Sequence, residues 1–260
     1  MKNKYGHIST ERQSFQGILE DLPAQIKWAE AVLLRLMSIS ALTDRAKILD
    51  VGAATGGFLI ACRRLGYQCE GIEPWQEARL NAVKLSEYLS IPIHVVDGTA
   101  ESIPYNTGTF DVVHASSVIE HVSEVEKAFA EIYRVLKPGG VFWFETASSM
   151  CPVQNEIRGF PLFGWYPDSV KRRIMNWAKD VKPRLVGYTT TPAMHWFTPA
   201  KARKLLQKHG FKRVYDRWEL RREDEGGELH RLALRLIRSS RLAKTLADVL
   251  IPNCAYAAIK

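Results

Sequence analysis

The chain has 260 residues, 46% of them hydrophobic and 25% charged, a size that can bury its own core and a composition that excludes a disordered or fibrous protein. Its net charge of +8 is unevenly spread: residues 1–150 hold 14 lysines and arginines against 18 carboxylates, and residues 151–260 hold 22 against 10, giving −4 and +12. The polar opening at residues 1–7 leads into no apolar h-region, and residues 29–42 are interrupted by Arg35 and too short to span a bilayer, so the expectation is a cytoplasmic protein without a secretory signal or membrane helix.

Residues 14–42 carry Ile18, Leu22, Ile26, Trp28, Val32, Leu36 and Ile39 near helical spacing and predict leading helices, two of them separated at Pro23. Residues 47–51 form a short apolar run that ends in a glycine-rich turn, with a helical stretch over 57–65. A second strand is expected at 69–73, a helix at 76–89, a third strand at 93–96 and a fourth at 110–115. The helix over 122–136 ends at Lys137-Pro138-Gly139-Gly140, a stop signal, before a fifth strand at 141–146. This alternation predicts a doubly wound, mostly parallel α/β sheet of the Rossmann-like kind, with helices on both faces.

Residues 148–195 break the rhythm with Pro, Trp, Phe and Arg and one helix-like stretch at 168–180. They read as a cap insertion over the carboxyl edge of the sheet, where open α/β folds bind ligands. Thr198-Pro199 starts a helix that runs to His209-Gly210. Strands at 211–220 and 255–259 bring the sheet to seven. Between them, residues 228–251 form a basic amphipathic stretch, with Leu232, Leu236, Leu242 and Leu246 beside Arg231, Arg235, Arg238 and Arg241. Packing on the sheet edge is the favoured reading, and peripheral contact with a membrane surface is the other. The expected divisions are N-terminal helices (1–44), an α/β core (45–147), the cap (148–195) and a C-terminal completion of the sheet (196–260). Cys62, Cys69, Cys151 and Cys254 show no CxxC pairing or metal-like spacing, so no metal site is expected.

The turn Asp50-Val51-Gly52-Ala53-Ala54-Thr55-Gly56-Gly57 sits between a strand and a helix, where small residues let the backbone approach a ligand and the helix N-terminus faces it. Glu73 lies 21 residues after Gly52 at the end of the second strand, where an acidic side chain can accept both hydroxyls of a ribose. A ribose is common to NAD and S-adenosylmethionine (SAM), so these residues alone leave both open.

The later motifs separate them. Ile48-Leu49-Asp50-Val51-Gly52 with Gly71-Ile72-Glu73-Pro74 resembles the first motifs of class I SAM-dependent methyltransferases. Gly98-Thr99-Ala100-Glu101, Thr109-Phe110-Asp111-Val112-Val113, Val118-Ile119-Glu120-His121-Val122 and Val135-Leu136-Lys137-Pro138-Gly139-Gly140 continue the resemblance in order. His195-Trp196-Phe197-Thr198-Pro199 and His209-Gly210-Phe211 look like later landmarks of the small-molecule branch, which contains the ubiquinone-pathway methyltransferases. The resemblance implies SAM as cofactor. It places Asp50 at the methionine amino group and Gly52, Ala53 and Gly56 under the methionine and ribose. Glu73 would hold the ribose hydroxyls, with Pro74 and Trp75 beside the adenine. Thr99, Ala100 and Glu101 would meet the adenine edge, and Ser116 the methionine end. The family often has glycine where Ala54 stands, and an aspartate where Thr99 stands; the adenine amine would then turn to Thr99 or Asp97.

Methyl transfer to a hydroxyl benefits from a base with a pKa near neutrality, for which histidine suits; His121 and His195 are the candidates, with His195 preferred because it closes the cap. The expected acceptor is a small or lipid-linked molecule, methylated at oxygen. Phe160, Phe163, Trp165, Tyr166 and Trp177 could line an apolar pocket for it, or form the cap's own core. Arg158, Lys171, Arg172 and Arg173 could meet an anionic group. An RNA methyltransferase, a silent SAM-fold binding protein and a nicotinamide oxidoreductase are the rival readings. The first is disfavoured because Ala115-Ser116-Ser117-Val118 lacks the Asn/Asp-Pro-Pro-aromatic motif, so no nucleic-acid partner is expected. The oligomeric state is left open.

Overall fold

The computed structural model describes residues 14–40, 42–43, 45–187 and 191–260. One seven-stranded sheet carries the fold, in the order β3-β2-β1-β4-β5-β7-β6. The strands are β1 (Lys47–Val51), β2 (Gln68–Ile72), β3 (Val95–Val96), β4 (Phe110–Ser116), β5 (Leu136–Ala147), β6 (Arg213–Asp216) and β7 (Asn253–Ile259). β1 to β5 pair in parallel, and β7 runs antiparallel to both β5 and β6. The doubly wound, Rossmann-like sheet read from the alternation is therefore the observed one.

Alternation along the central strands sorts side chains onto two cores, as the two-residue period of a strand requires. Val113, Phe142, Phe144 and Tyr256 face α4 (Val125–Val135) and α6 (Pro199–Lys208). Val112, Val141, Trp143 and Ala257 face α1 (Phe15–Ile39) and α2 (Gly57–Arg64). α3 (Gln76–Leu89) connects β2 to β3.

Four boundaries differ from expectation. Residues 15–39 form a single helix with Pro23 inside it, because Ile18, Leu22, Ile26, Ala29, Val32, Leu33 and Leu36 make one continuous buried stripe that outweighs the local cost of proline. Lys137-Pro138-Gly139-Gly140 lies within β5, where the register with β4 shifts between Phe110 and Val112; the helix stops there and the strand starts at once. The sixth strand ends at Asp216, whose carboxylate accepts from the Trp218 and Glu219 amides while Glu219 accepts from the Asp216 amide. That capping box starts α7 (Arg217–Leu220). The stretch 228–251 is two helices, α8 (Glu228–Ser239) and α9 (Arg241–Val249), with Ser240 capping the second.

The insertion has its own small core. Phe163, Met175, Ala178, Val186 and Trp196 pack with Ile157 around α5 (Asp168–Val181), with Phe160 and Tyr166 against them. Trp165 and Trp177 are exposed instead. Lys171 is buried there, its Nζ 3.0 Å from Asp168, 3.1 Å from the Gly164 carbonyl and over the Trp196 ring, so it holds the cap together. No helix among the described residues is long and apolar enough to cross a membrane.

Phe129 on α4 sits fully buried, edge-on to both Phe142 and Phe144, with ring centroids 5.5 and 5.6 Å away. Phe129→Ala is expected to destabilise the fold by about 3–5 kcal/mol in chemical denaturation, the range for deleting a buried aromatic; a loss under about 1 kcal/mol would contradict this packing.

Candidate functional site

A cavity of about 660 Å³ opens at the carboxyl ends of β1, β2 and β4 and continues beneath the cap. That volume lies in the range of roughly 300–1,000 Å³ that holds cofactors and small ligands. Its position is that of ligand sites in open α/β sheets.

The cofactor end is built from the β1–α2 loop. The amides of Gly52 and Ala53 donate to the Ile72 carbonyl at 2.8 and 3.0 Å, tying the loop to the end of β2. Gly52 has φ +73°, and a Cβ there would overlap the Val118 side chain, so the turn needs glycine. Glu73 completes the tie: its two carboxylate oxygens accept from the Ala54 and Trp75 amides at 2.9 and 3.1 Å. Burial pushes the Glu73 carboxyl up, against those two donors. Asp50, also buried, meets His114 Nδ1 at 2.6 Å; that ring stacks on Phe58 and abuts Trp28 of α1. The far ring nitrogen of His114, buried, has no hydrogen-bond partner.

Most of the residues expected to hold a cofactor line this one cavity: Asp50, Gly52, Ala53, Glu73, Pro74, Trp75, Thr99, Ala100, Glu101 and Ser116. Gly56 does not. It caps α2 with φ +84°, and a Cβ on it would overlap Ile93, so it shapes the turn from behind. Glu101 is engaged by the protein: burial would raise its carboxyl, but the Ser123 amide and hydroxyl and the Glu124 amide hold it below its usual range. Asp97 stands off the cavity wall and pairs with Arg79 at 2.9 Å, which leaves Thr99 as the nearer of the two side chains considered for an adenine amine.

A SAM molecule asks for an acidic acceptor at the ribose, backbone amides and a carboxylate at the methionine end, and an apolar slot for adenine. Glu73, the Gly52 turn with Asp50, and Ile103 behind Ala100 supply donors, acceptors and apolar surface of those kinds, and the chain fits the group.

The two histidines part company. His121 is in the cavity wall, with Nδ1 buried and unpartnered; burial lowers its imidazole pKa, against hydrogen bonds to the backbone of Thr191 and Pro192. His195 is outside the wall, with Nε2 3.0 Å from the Val122 carbonyl, and burial lowers it too. Its amide and that of Met194 donate to the Glu120 carbonyl, so residues 194–195 fasten the end of the cap to the core.

Two carboxyls at the cap end escaped the sequence reading as individual groups. Glu120 is buried, accepts from the Thr146 hydroxyl at 2.9 Å, and is pushed up to about 7 by burial. Glu156 of the cap is pushed up to about 7 by burial and by the nearby Glu120, and one of its oxygens has no partner. Both line the cavity, together with Gln25 of α1 and with Asn155 and Arg158 of the cap. Of the cations weighed for an anionic acceptor, only Arg158 reaches the wall. An acidic residue within the apolar run Val118-Ile119-Glu120 was the available signal for Glu120; nothing local marked Glu156. Among the described residues, no group of three or more His, Cys, Asp or Glu side chains is arranged to hold a metal.

A family model described as a methyltransferase domain matches residues 23–215. The glycine/sarcosine/dimethylglycine N-methyltransferase of Actinopolyspora halophila is 27% identical over 160 residues, which is 60% of this chain and 28% of that protein. The uncharacterised methyltransferase YcgJ of Bacillus subtilis is 30% identical over 124 residues, 47% of this chain and 45% of its own. The chain thus matches less than half the length of these curated relatives. Among solved structures, phosphoethanolamine N-methyltransferase 2 of Haemonchus contortus in complex with S-adenosyl-L-methionine superposes with a TM-score of 0.58 at 17% identity, over 98% of this chain and 60% of that one. That likeness shows a shared fold.

The two raised carboxyls make stability depend on pH with a definite sign. Their pKa is about 7 in the fold against 4.5 in the open chain, so between those values the folded protein holds protons that the unfolded chain has shed, and stability falls as pH rises. Glu156→Gln removes one of these groups. Denaturation at pH 8 should find the variant more stable than wild type, on the order of 3 kcal/mol, with the gap closing near pH 4. An equal gap at both pH values would contradict the burial of that carboxyl.

Proposed function

The chain belongs to the class I SAM-dependent methyltransferase family, with S-adenosylmethionine as cofactor, and we propose that it moves a methyl group to an oxygen of a small-molecule or lipid-linked acceptor held under the cap. The observation that carries this reading is that one cavity is lined by the Gly52 turn and Glu73 and also by His121, Glu156 and Arg158. Small acceptors also fit the relatives, whose names specify glycine derivatives and phosphoethanolamine.

Bound SAM supplies a methyl group activated on a sulfonium, and the protein must align it and exclude water. In this reading Glu73 holds the ribose hydroxyls, Pro74 and Trp75 flank the adenine, and the Ala100 backbone meets its edge. Asp50 and Ser116 face the methionine end, with Gly52 and Ala53 beneath. The cap closes the far side through Asn155, Glu156, Met175 and Val186.

His121 is the better placed of the two histidines to act as base, because it alone of the two lies in the cavity wall. Burial lowers its imidazole pKa, and its unpartnered Nδ1, covered in this structure, is the nitrogen that would take a proton from an acceptor hydroxyl once the ring is reached. His195, held by the Val122 carbonyl, positions the cap instead. Methylation at nitrogen is a second reading. Two carboxyls at the acceptor end would draw in an ammonium group, and the named relatives act on amines.

Hydroxyl and amine acceptors can be screened with ¹³C-methyl SAM, reading the product methyl carbon by NMR; a methoxy carbon supports oxygen and an N-methyl carbon the second reading. With an acceptor in hand, His121→Ala is expected to lower kcat by about 10²–10⁴-fold while leaving S-adenosylhomocysteine affinity unchanged, and His195→Ala to cost less than about tenfold. Near wild-type turnover by His121→Ala would remove the base assignment.

A further inference from the structure

The C-terminal helices leave an apolar face uncovered. Leu229, Leu232 and Leu236 on α8, with Leu242 and Leu246 on α9 and Leu250 just beyond it, are 58–84% exposed. Single exposed leucines are ordinary; six within 22 consecutive residues, five of them on two short helices, are not. Their spacings, i, i+3, i+7 on α8 and i, i+4, i+8 along α9, draw each set into one stripe.

These helices are anchored by their other sides. Leu234 is buried, and the Arg238 guanidinium donates to the Trp218 and Arg221 carbonyls. Trp218 Nε1 donates to Asp248 at 2.7 Å and Lys244 pairs with Asp216, which fixes α9. Arg235 is paired with Glu223 at 2.8 Å. Arg231 and Arg241, by contrast, have no ion-pair partner among the described residues, and both are exposed. On the helical projection each lies about 100° from the nearest leucine, on the polar side of its helix.

Position adds a second argument. β6 runs parallel to β5 and ends at the carboxyl edge of the sheet, and β7 begins there, its Asn253 paired with Ala147. Everything between them, α7 to α9, therefore leaves from and returns to the edge at which the cavity opens. The Ser148 amide donates to the Pro252 carbonyl, and Asn155, which lines the cavity, lies 3.4 Å from Asn253.

We propose that α8 and α9 seat the protein on an anionic lipid bilayer, with the leucines in the acyl boundary and Arg231 and Arg241 on the polar faces above them. A leucine face opposed by an arginine-bearing polar face is the composition that such an interface selects, and the net charge of +12 after residue 150 complements it. The docking rests on the exposed face alone. What it adds to the methyl-transfer reading, and takes from it, is that the acceptor is a lipid-linked molecule presented at the cavity mouth.

The test is flotation of the full chain with vesicles of phosphatidylglycerol and phosphatidylcholine, or of phosphatidylcholine alone, with S-adenosylhomocysteine binding as the control for folding. Co-flotation with the anionic vesicles only, weakened by salt and reduced at least tenfold both by Leu232→Ser/Leu236→Ser/Leu242→Ser/Leu246→Ser and by Arg231→Glu/Arg241→Glu, is expected. Protein left in the soluble fraction with anionic vesicles overturns the proposal. So does sedimentation as a dimer that the leucine variant dissociates without any lipid binding, which would assign the face to a second copy. Either failure leaves cofactor binding and methyl transfer intact, so the two readings fall separately.

Discussion

The site depends on one buried carboxylate used as a clasp. Glu73 follows directly on β2, and its two oxygens take the Ala54 and Trp75 amides, one from the loop after β1 and one from the start of α3. With the Gly52 and Ala53 amides on the Ile72 carbonyl, this fixes the β1–α2 turn against the neighbouring strand. The turn can be that tight only because Gly52 takes a positive φ and leaves room for Val118. A carboxylate drawn out of water this far is costly unless donors surround it, and the two amides supply part of that compensation. Further donors, such as ribose hydroxyls, would supply more.

Around that clasp the cavity wall is shared by parts of the chain that fold for different reasons. The sheet sets Asp50, His114 and Ser116; α1 lays Gln25 and Trp28 across from the loop; and the cap, held by a core of its own around Phe163 and Trp196, brings Asn155, Glu156 and Arg158. Because the cap core does not share its aromatics with the cavity, the acceptor end is more polar than the aromatic content of the insertion suggests. Two carboxyls raised to about 7 by burial and one buried, unpartnered imidazole nitrogen lie at that end.

Legibility in the sequence followed the range of the interactions. The α/β alternation and the sheet were readable because each strand and helix carries its own period. The gathering of the candidate cofactor residues in one cavity was readable because they lie in one local turn, Asp50 to Gly57, and just after one strand, at Glu73. Where several parts of the chain compete, the reading slipped. Pro23 looked like a break, but the buried stripe from Ile18 to Leu36 carries the helix through it. Residues 217–220 looked like strand, but the Asp216–Glu219 capping box turns them into helix. Glu156 meets Glu120 and His121 in the cavity only through the tertiary placement of the cap, which has no local signature. Gly56 was assigned to the ligand because it belongs to the same loop, yet it faces Ile93 on the far side. The leucines of α8 and α9 have a clear helical period, but a period cannot say whether the stripe finds the sheet or remains uncovered.

The most direct test of the account is calorimetric titration of the full chain with SAM, S-adenosylhomocysteine and NAD, on wild type and on Glu73→Ala. The account predicts micromolar binding of the first two, no binding of NAD, and at least a tenfold weakening in the variant once its ribose acceptor is gone. A folded wild-type protein that bound neither SAM nor S-adenosylhomocysteine, or that bound NAD in their place, would contradict it.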